Sequence, residues 1–283
     1  MKYLFNKQFN SWIDEEKTIR YSRCRDGIAI NAGTLLGSGF EPSYLSGLTL
    51  PEEVNGIPVT ELNGVFRQGE IGYIESAKLK RIDINVIVEM NSYGDKRCSF
   101  PVLCGGLQNT LQSIRIAFSA DKAHIDPIED PAVRSTVEYV GFDGIKTDDP
   151  DWDFGSFQSG LFEGCINLKD IHGRFEGYCL TGRTFKDCIS LVSLPEIRVK
   201  NMGEREFLNC TSLGQIRLHD GLKTIGYECF KNCRSLRDVY LPDTLDSVGA
   251  DAFSNCGHLV IHGKTGTLAE RYAKDHQIEF VAD

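Results

Sequence analysis

Between Leu161 and Ile261 one short phrase recurs: Phe, two residues, Cys, two residues, Leu, two residues, an aliphatic. It reads Phe162/Cys165/Leu168/Ile171, then Phe185/Cys188/Leu191/Leu194, Phe207/Cys210/Leu213/Ile216 and Phe230/Cys233/Leu236/Val239, and closes on a shortened Phe253/Cys256/Leu259/Ile261. The steps from Phe to Phe are 23, 22, 23 and 23 residues. A fixed period of this size excludes most single-core folds. It predicts a solenoid, in which each unit covers the apolar side of the next.

One unit shows what a rung must look like. In Ile225 to Pro242 the tail Val239-Tyr240-Leu241 alternates apolar, polar-tipped, apolar, which predicts a half-buried strand. Val239 and Leu241 point inward; Asp238 and Tyr240 point outward. Pro242 has no N–H to continue a ladder and ends the strand. Phe230 to Cys233 is too short for a free-standing helix. It predicts a turn of α- or 3₁₀-helix on the opposite side that inserts Phe230 into the core.

These residues resemble the BspA-like leucine-rich repeat family, whose units read roughly I-G-x-x-A-F-x-x-C-x-x-L-x-x-I-x-L-P. Ile225, Gly226, Phe230, Cys233, Leu236, Val239, Leu241 and Pro242 match, and Val248, Gly249, Ala252, Phe253 and Cys256 match again. Leu48 to Thr60 resembles the family's opening phrase, and Ile261 to Ala273 its closing one. The resemblance covers about 48–66 and 161–283; 67–160 fit it poorly. It implies an α/β solenoid: a right-handed leucine-rich-repeat superhelix of about nine rungs, with a concave parallel sheet and short helical turns on the convex side. It also implies a binding or surface protein without catalysis, of bacterial type.

The organisation expected is an N-terminal cap over 1–47, a solenoid over 48–262 with insertions at about 86–100 and 143–160, and a C-terminal cap over 263–283. Trp12, Ile19, Tyr21, Ile28 and Ile30 are the apolar candidates of the first cap, and Asp26-Gly27 marks a turn between two short strands. Leu79–Ile84, Leu111–Ile116 and Val137–Val140 read as strands. Thr267 with Glu270 three residues on forms a capping box for a short helix, with Leu268 and Tyr272 on one face. Ile278 to Val281 is a final strand.

The formal charge is −9 and the pI about 5.3, with no Lys/Arg cluster. That excludes a nucleic-acid footprint and an anionic membrane surface as partners. No run is long enough to span a membrane. The apolar stretch near Met1 is too short for a secretory signal, so a cytoplasmic location is expected; a longer parent chain would allow the cell surface or secretion.

Ten cysteines are present, five of them one per rung. A linear ladder of thiols cannot converge as a tetrahedral zinc site, so they are read as small buried hydrophobes in a reducing compartment. The acidic loop Asp148 to Asp153 lacks the Gly and Glu of a calcium loop; Trp152 within it is a candidate partner contact. The six histidines are scattered. No G-x-S-x-G or P-loop motif occurs, no cofactor or metal is implied, and no catalytic residue is assigned.

The outward strand positions are the candidate binding residues: Arg81, Asp83, Arg115, Asp170, His172, Gln215, Arg217, Asp238 and Tyr240. A row of mixed-sign and aromatic side chains on a curved sheet suits a protein or peptide. The expectation is a monomeric, non-catalytic protein-interaction scaffold; a surface adhesion module recognising host protein or glycan is the alternative.

Overall fold

The computed structural model describes residues 3–6, 11–14, 20–31, 48–67, 73–87, 97–98, 100, 102–104, 110–119, 124–125, 127–143, 159–173, 175–195 and 197–283. Its longest feature is a ten-stranded sheet. Tyr3–Asn6, Ser11–Asp14, Arg20–Cys24 and Gly27–Asn31 enter it as an antiparallel meander. Gly27–Asn31 then pairs in parallel with Ile57–Arg67, and the parallel ladder runs on through Arg81–Ile87, Ser113–Ser119, Val137–Asp143 and Asp170–Gly173. The alternation read in the sequence sets the faces. Ile82, Ile84, Val86, Ile114, Ile116 and Val140 are buried, and Arg81, Asp83, Asn85, Ser113, Arg115, Ala117 and Tyr139 beside them are not.

The loop joining Arg20–Cys24 to Gly27–Asn31 consists of Arg25 and Asp26, so Gly27 opens the second strand and is not part of the turn. Tyr21, Ile28 and Ile30 are buried as expected of a cap. Trp12 lies on a strand, paired with Phe5 and Tyr21; Ile19 lies outside the described residues.

From Asp170 onward each rung has three sides. One is a short parallel strand: Gln215–Arg217, Asp238–Tyr240, Val260–Gly263 and Glu279–Ala282 pair in that order. A second parallel ladder follows on Phe175–Leu180, Ile197–Met202, Thr224–Ile225 and Ser247–Val248. The third side carries the Phe phrase, and it differs from the helical turn expected. Each Phe sits in two overlapping turns, each closed by a three-residue bond, such as Lys231 N–H to Glu228 O and Cys233 N–H to Phe230 O, both at 3.2 Å. The residues two before and two after it adopt positive φ: Gly160 and Gly164, Arg183 and Asp187, Arg205 and Asn209, Glu228 and Asn232, Asp251 and Asn255. A helix cannot run through left-handed residues spaced four apart.

That conformation aims the main chain along the stack instead. Phe162, Phe185, Phe207 and Phe230 each donate their N–H to the rung that follows, to Thr184, Glu206, Cys229 and Ala252 at 2.7–2.8 Å. The two flanking left-handed residues do the same, as in Asn209 to Lys231 at 3.0 Å. The Phe turns are thus cross-linked as regularly as the strands.

Inside, the five Phe rings form a column. Successive centroids lie 5.4, 5.1, 5.0 and 5.1 Å apart, and the planes differ by 19°, 10°, 4° and 1°. The cysteine column runs beside it: Cys188, Cys210, Cys233 and Cys256 donate their thiol to the carbonyls of Phe162, Phe185, Phe207 and Phe230, at 3.0–3.1 Å. The small buried hydrophobes therefore also satisfy a carbonyl per rung. Burial pushes the Cys165 thiol up to about 12, and raises those of Cys188 and Cys210 as well. A third column is glycine. A Cβ on Gly249 would lie 2.6 Å from the Gly226 carbonyl carbon, and one on Gly226 would strike the Gly203 carbonyl.

At the C-terminal end the helix Leu268–Asp275 buries Ala269, Tyr272 and Ala273, with Leu268 at the edge. Neither bond of its expected capping box forms. Glu270 reaches back to the Gly266 N–H at 2.7 Å, while the Thr267 hydroxyl donates to the Lys264 carbonyl. Tyr272 closes the Phe column, edge-on to Phe253 at 5.9 Å. Among the described residues no helix is long and apolar enough to cross a membrane.

Candidate recognition face

The outward side chains of the strand ladder fall into two clusters, and parallel register decides their membership. In the first, Asp83, Arg115, Tyr139 and Asp170 occupy matched positions on four neighbouring strands. Arg115 faces Asp83 at 3.7 Å and lies over the Tyr139 ring, 4.4 Å from its centroid. Tyr139 leans on His172, with centroids 5.3 Å apart, and the His172 Nε2 lies 2.9 Å from the Asp170 carboxylate. Gly141 makes room for this: a Cβ there would lie 2.9 Å from the Tyr139 hydroxyl.

The second cluster repeats the order. Arg217, Tyr240 and His262 occupy matched positions on three strands. The Arg217 guanidinium carbon lies 4.1 Å above the Tyr240 centroid; Tyr240 and His262 stack at 4.4 Å and 15°. His262 Nε2 is held by Asp238 at 2.8 Å. Both clusters thus present a cation over an aromatic ring, then an imidazole anchored by a carboxylate. A rigid, two-sided aromatic flanked by hydrogen-bonding groups can grip a partner surface with little loss of side-chain freedom.

Beside the second cluster lies a cavity of about 380 Å³, lined by Ser193, Leu194, Pro195, Gln215, Arg217 and Tyr240. Gln215 is exposed on its edge strand.

Arg81 is placed differently. It is locked between Asp26, at 2.9 Å, and Glu61. It ties the first hairpin to the ladder and is spent on structure. Seven of the remaining candidates, Asp83, Arg115, Asp170, His172, Arg217, Asp238 and Tyr240, fall into the two clusters, and Gln215 lines the cavity. Tyr139, His262, Leu194 and Pro195 are additions. Tyr139 lies on a strand the sequence predicts, but nothing in the sequence paired it with Arg115, or His262 with Tyr240.

Of the expected insertion at 86–100, Val86 and Ile87 complete a strand, Arg97–Cys98 pairs with His124–Ile125, and Phe100 packs edge-on to Phe162 at 6.5 Å. Residues 144–158, with Trp152, lie outside the described residues. Among the described residues no three His, Cys, Asp or Glu side chains converge as metal ligands.

On the Phe-turn side a separate network surrounds Glu228. It accepts from Arg205 at 2.8 Å, from the Tyr227 hydroxyl at 2.9 Å and from Lys231. Lys231 and Arg205 hold its carboxyl down at about 2. Glu206 is the opposite case: fully buried, it accepts the N–H groups of Thr184 and Gly203 at 2.9 and 3.0 Å, yet burial raises its carboxyl above the ordinary range.

A family model described as a BspA type leucine rich repeat region matches residues 153–260 in six copies. Solved structures similar to the chain include a leucine-rich repeat protein from Bacteroides ovatus ATCC 8483, 16% identical over 94% of this chain and 98% of that one, with a TM-score of 0.41. A T. pallidum leucine rich repeat protein is 19% identical over 88% and 71%, with a TM-score of 0.26. A leucine rich cell surface protein from Faecalibacterium prausnitzii A2-165 is 13% identical over 93% and 97%, with a TM-score of 0.27. No curated protein matches the chain.

Proposed function

We propose that the chain, whose residues 153–260 match a BspA type leucine rich repeat region, is a non-catalytic scaffold that binds a protein partner through the exposed face of its parallel strands. In this reading the strands line the concave side of a right-handed superhelix. Residues 1–47 and 263–283 cap its ends, and the segments at 86–100 and 143–160, with Trp152, border the face. The observation that carries the reading is the repeated Arg–Tyr–His cluster. Tyr and Arg are the residue types that dominate interface energetics, and here they are stacked and held before any partner arrives. The two clusters are about four rungs apart, on the order of 19 Å at the usual strand spacing. One partner domain can reach both.

The test is partner recovery by the full chain beside three double substitutions: Arg115→Ala/Tyr139→Ala, Arg217→Ala/Tyr240→Ala, and Arg183→Ala/Arg234→Ala as a control outside the clusters. Loss of the same bound proteins from the first two and retention by the control supports the face. Equal recovery by all three, each shown folded by its thermal unfolding, contradicts it.

A further inference from the structure

Between Pro195 and Gln215 the rungs part. Along this side each rung donates a main-chain N–H to the rung before it: Lys169 to Glu138 at 3.0 Å, Val192 to Lys169 at 3.3 Å, Arg237 to Gly214 at 2.9 Å and Val260 to Arg237 at 2.7 Å. Among the described residues no such bond joins 192–195 to 214–217; parallel pairing resumes at Ile197 and Leu218. The cause is in the sequence. Pro195 has no N–H and follows Leu194 directly, whereas in the rung Val239-Tyr240-Leu241-Pro242 the proline comes two residues later. The early proline ends the strand before it can pair. Among the described residues one edge of Gln215–Arg217 is left without a neighbouring strand, and the cavity of about 380 Å³ opens there.

Arg217 is the second part of the argument. Arg81 is held between two carboxylates and Arg115 faces Asp83. Among the described residues Arg217 has the Tyr240 ring beneath it and no carboxylate within ion-pair distance. A guanidinium stacked on a ring keeps the N–H donors at its rim available, in a geometry that fits a carboxylate. Leu194 and Pro195 supply apolar surface across the same gap.

We propose that this gap binds one or two residues of an extended partner segment that carries an acidic side chain next to an apolar one. The segment's main chain adds to the Gln215–Arg217 edge, its carboxylate meets Arg217, and its apolar side chain covers Leu194 and Pro195. The proposal rests on the recognition reading above and names the partner's chemistry.

The probes are two peptides, acetyl-Leu-Glu-Leu-amide and its isosteric counterpart acetyl-Leu-Gln-Leu-amide, titrated into the ¹⁵N-labelled full chain. Amide shifts confined to Gln215, Ile216, Arg217 and Tyr240, with the Glu peptide bound about fivefold more tightly, are expected for one exposed charge-assisted contact. Arg217→Gln removes that preference, and Arg234→Gln, outside both clusters, leaves it unchanged. Equal binding of the two peptides, shifts that map elsewhere, no shifts up to the solubility limit, or an unchanged preference in Arg217→Gln each overturn the proposal. If the gap fails while capture of a protein partner still depends on Arg115 and Tyr139, the recognition reading stands and only its pocket is lost.

Discussion

Arg217 lies over Tyr240, its guanidinium carbon 4.1 Å from the ring centroid, although the two residues are 23 positions apart in the chain. Only the parallel register of Gln215–Arg217 with Asp238–Tyr240 brings them together. Cation–aromatic pairs at exposed sites are worth about 0.5–1 kcal/mol. Urea unfolding of Arg217→Gln, Tyr240→Leu and the double variant should therefore return a coupling of about that size. Additive effects would mean the pair is not formed.

The Phe column makes a sharper prediction. Phe207 is fully buried, stacked on Phe185 on one side and on Phe230 on the other. Phe207→Ala should cost about 3–5 kcal/mol in denaturant unfolding. Phe253, closed on one side by the tilted Tyr272, should cost less.

Glycine 226 is fixed by the rung before it. Any Cβ there meets the Gly203 backbone, which cannot swing aside as a side chain can. Gly226→Ala should destabilise by about 1–3 kcal/mol through overpacking. Gly214→Ala, where a Cβ meets nothing within 4 Å, should stay within about 0.5 kcal/mol of wild type.

Two glutamates give opposite pH signatures. Glu228 is held at about 2, below its ordinary 4.5, so the unfolded chain binds the proton more readily. Its contribution is present above pH 4.5 and is lost as pH falls toward 2. Glu206 is raised by burial, so the folded chain binds the proton more readily, and its contribution falls as pH rises past the ordinary carboxylate range. In urea midpoints measured against pH, Glu228→Gln should flatten the acid limb of the curve. Glu206→Gln should cost less at neutral than at acid pH.

The thiols separate by position. Cys165, Cys188, Cys210, Cys229, Cys233 and Cys256 are buried, whereas Cys24 and Cys179 are part-exposed. The thiolate is the nucleophile and must meet the reagent, so burial blocks reaction. Iodoacetamide mapped by mass spectrometry should label Cys24 and Cys179 in the native chain, and the buried six only once denaturant unfolds it.

Much of this architecture is written in the repeat itself. Phe162 to Phe253 recur at a spacing that leaves few alternatives to a column, and the alternation around Val239 assigns Tyr240 to the outside. The shape of the Phe turn was not legible. Asn209, Asn232 and Asn255, and to a lesser degree Asp187 and Asp251, accept positive φ, but Arg183, Arg205 and Glu228 adopt it because the stack demands the N–H direction. The ion pairs of Arg81 were hidden for another reason: Asp26 belongs to the cap and Arg81 to the stretch that fits the repeat poorly, so no period fixes their register. The gap at Pro195 was not legible either, because it depends on the rung that follows.

Amide hydrogen exchange, read residue by residue, tests most directly whether these rungs stack as described. The N–H groups of Phe185, Phe207 and Phe230 each point at a carbonyl of the next rung, whereas that of Asn255 lies beyond the last rung, on an exposed residue with no main-chain acceptor among the described residues. The first three should exchange only as slowly as the chain unfolds, and Asn255 at close to the rate of an open peptide. Exchange at Phe207 and Phe230 as rapid as at Asn255, in the folded chain, would contradict the stacked ladder and the face built on it.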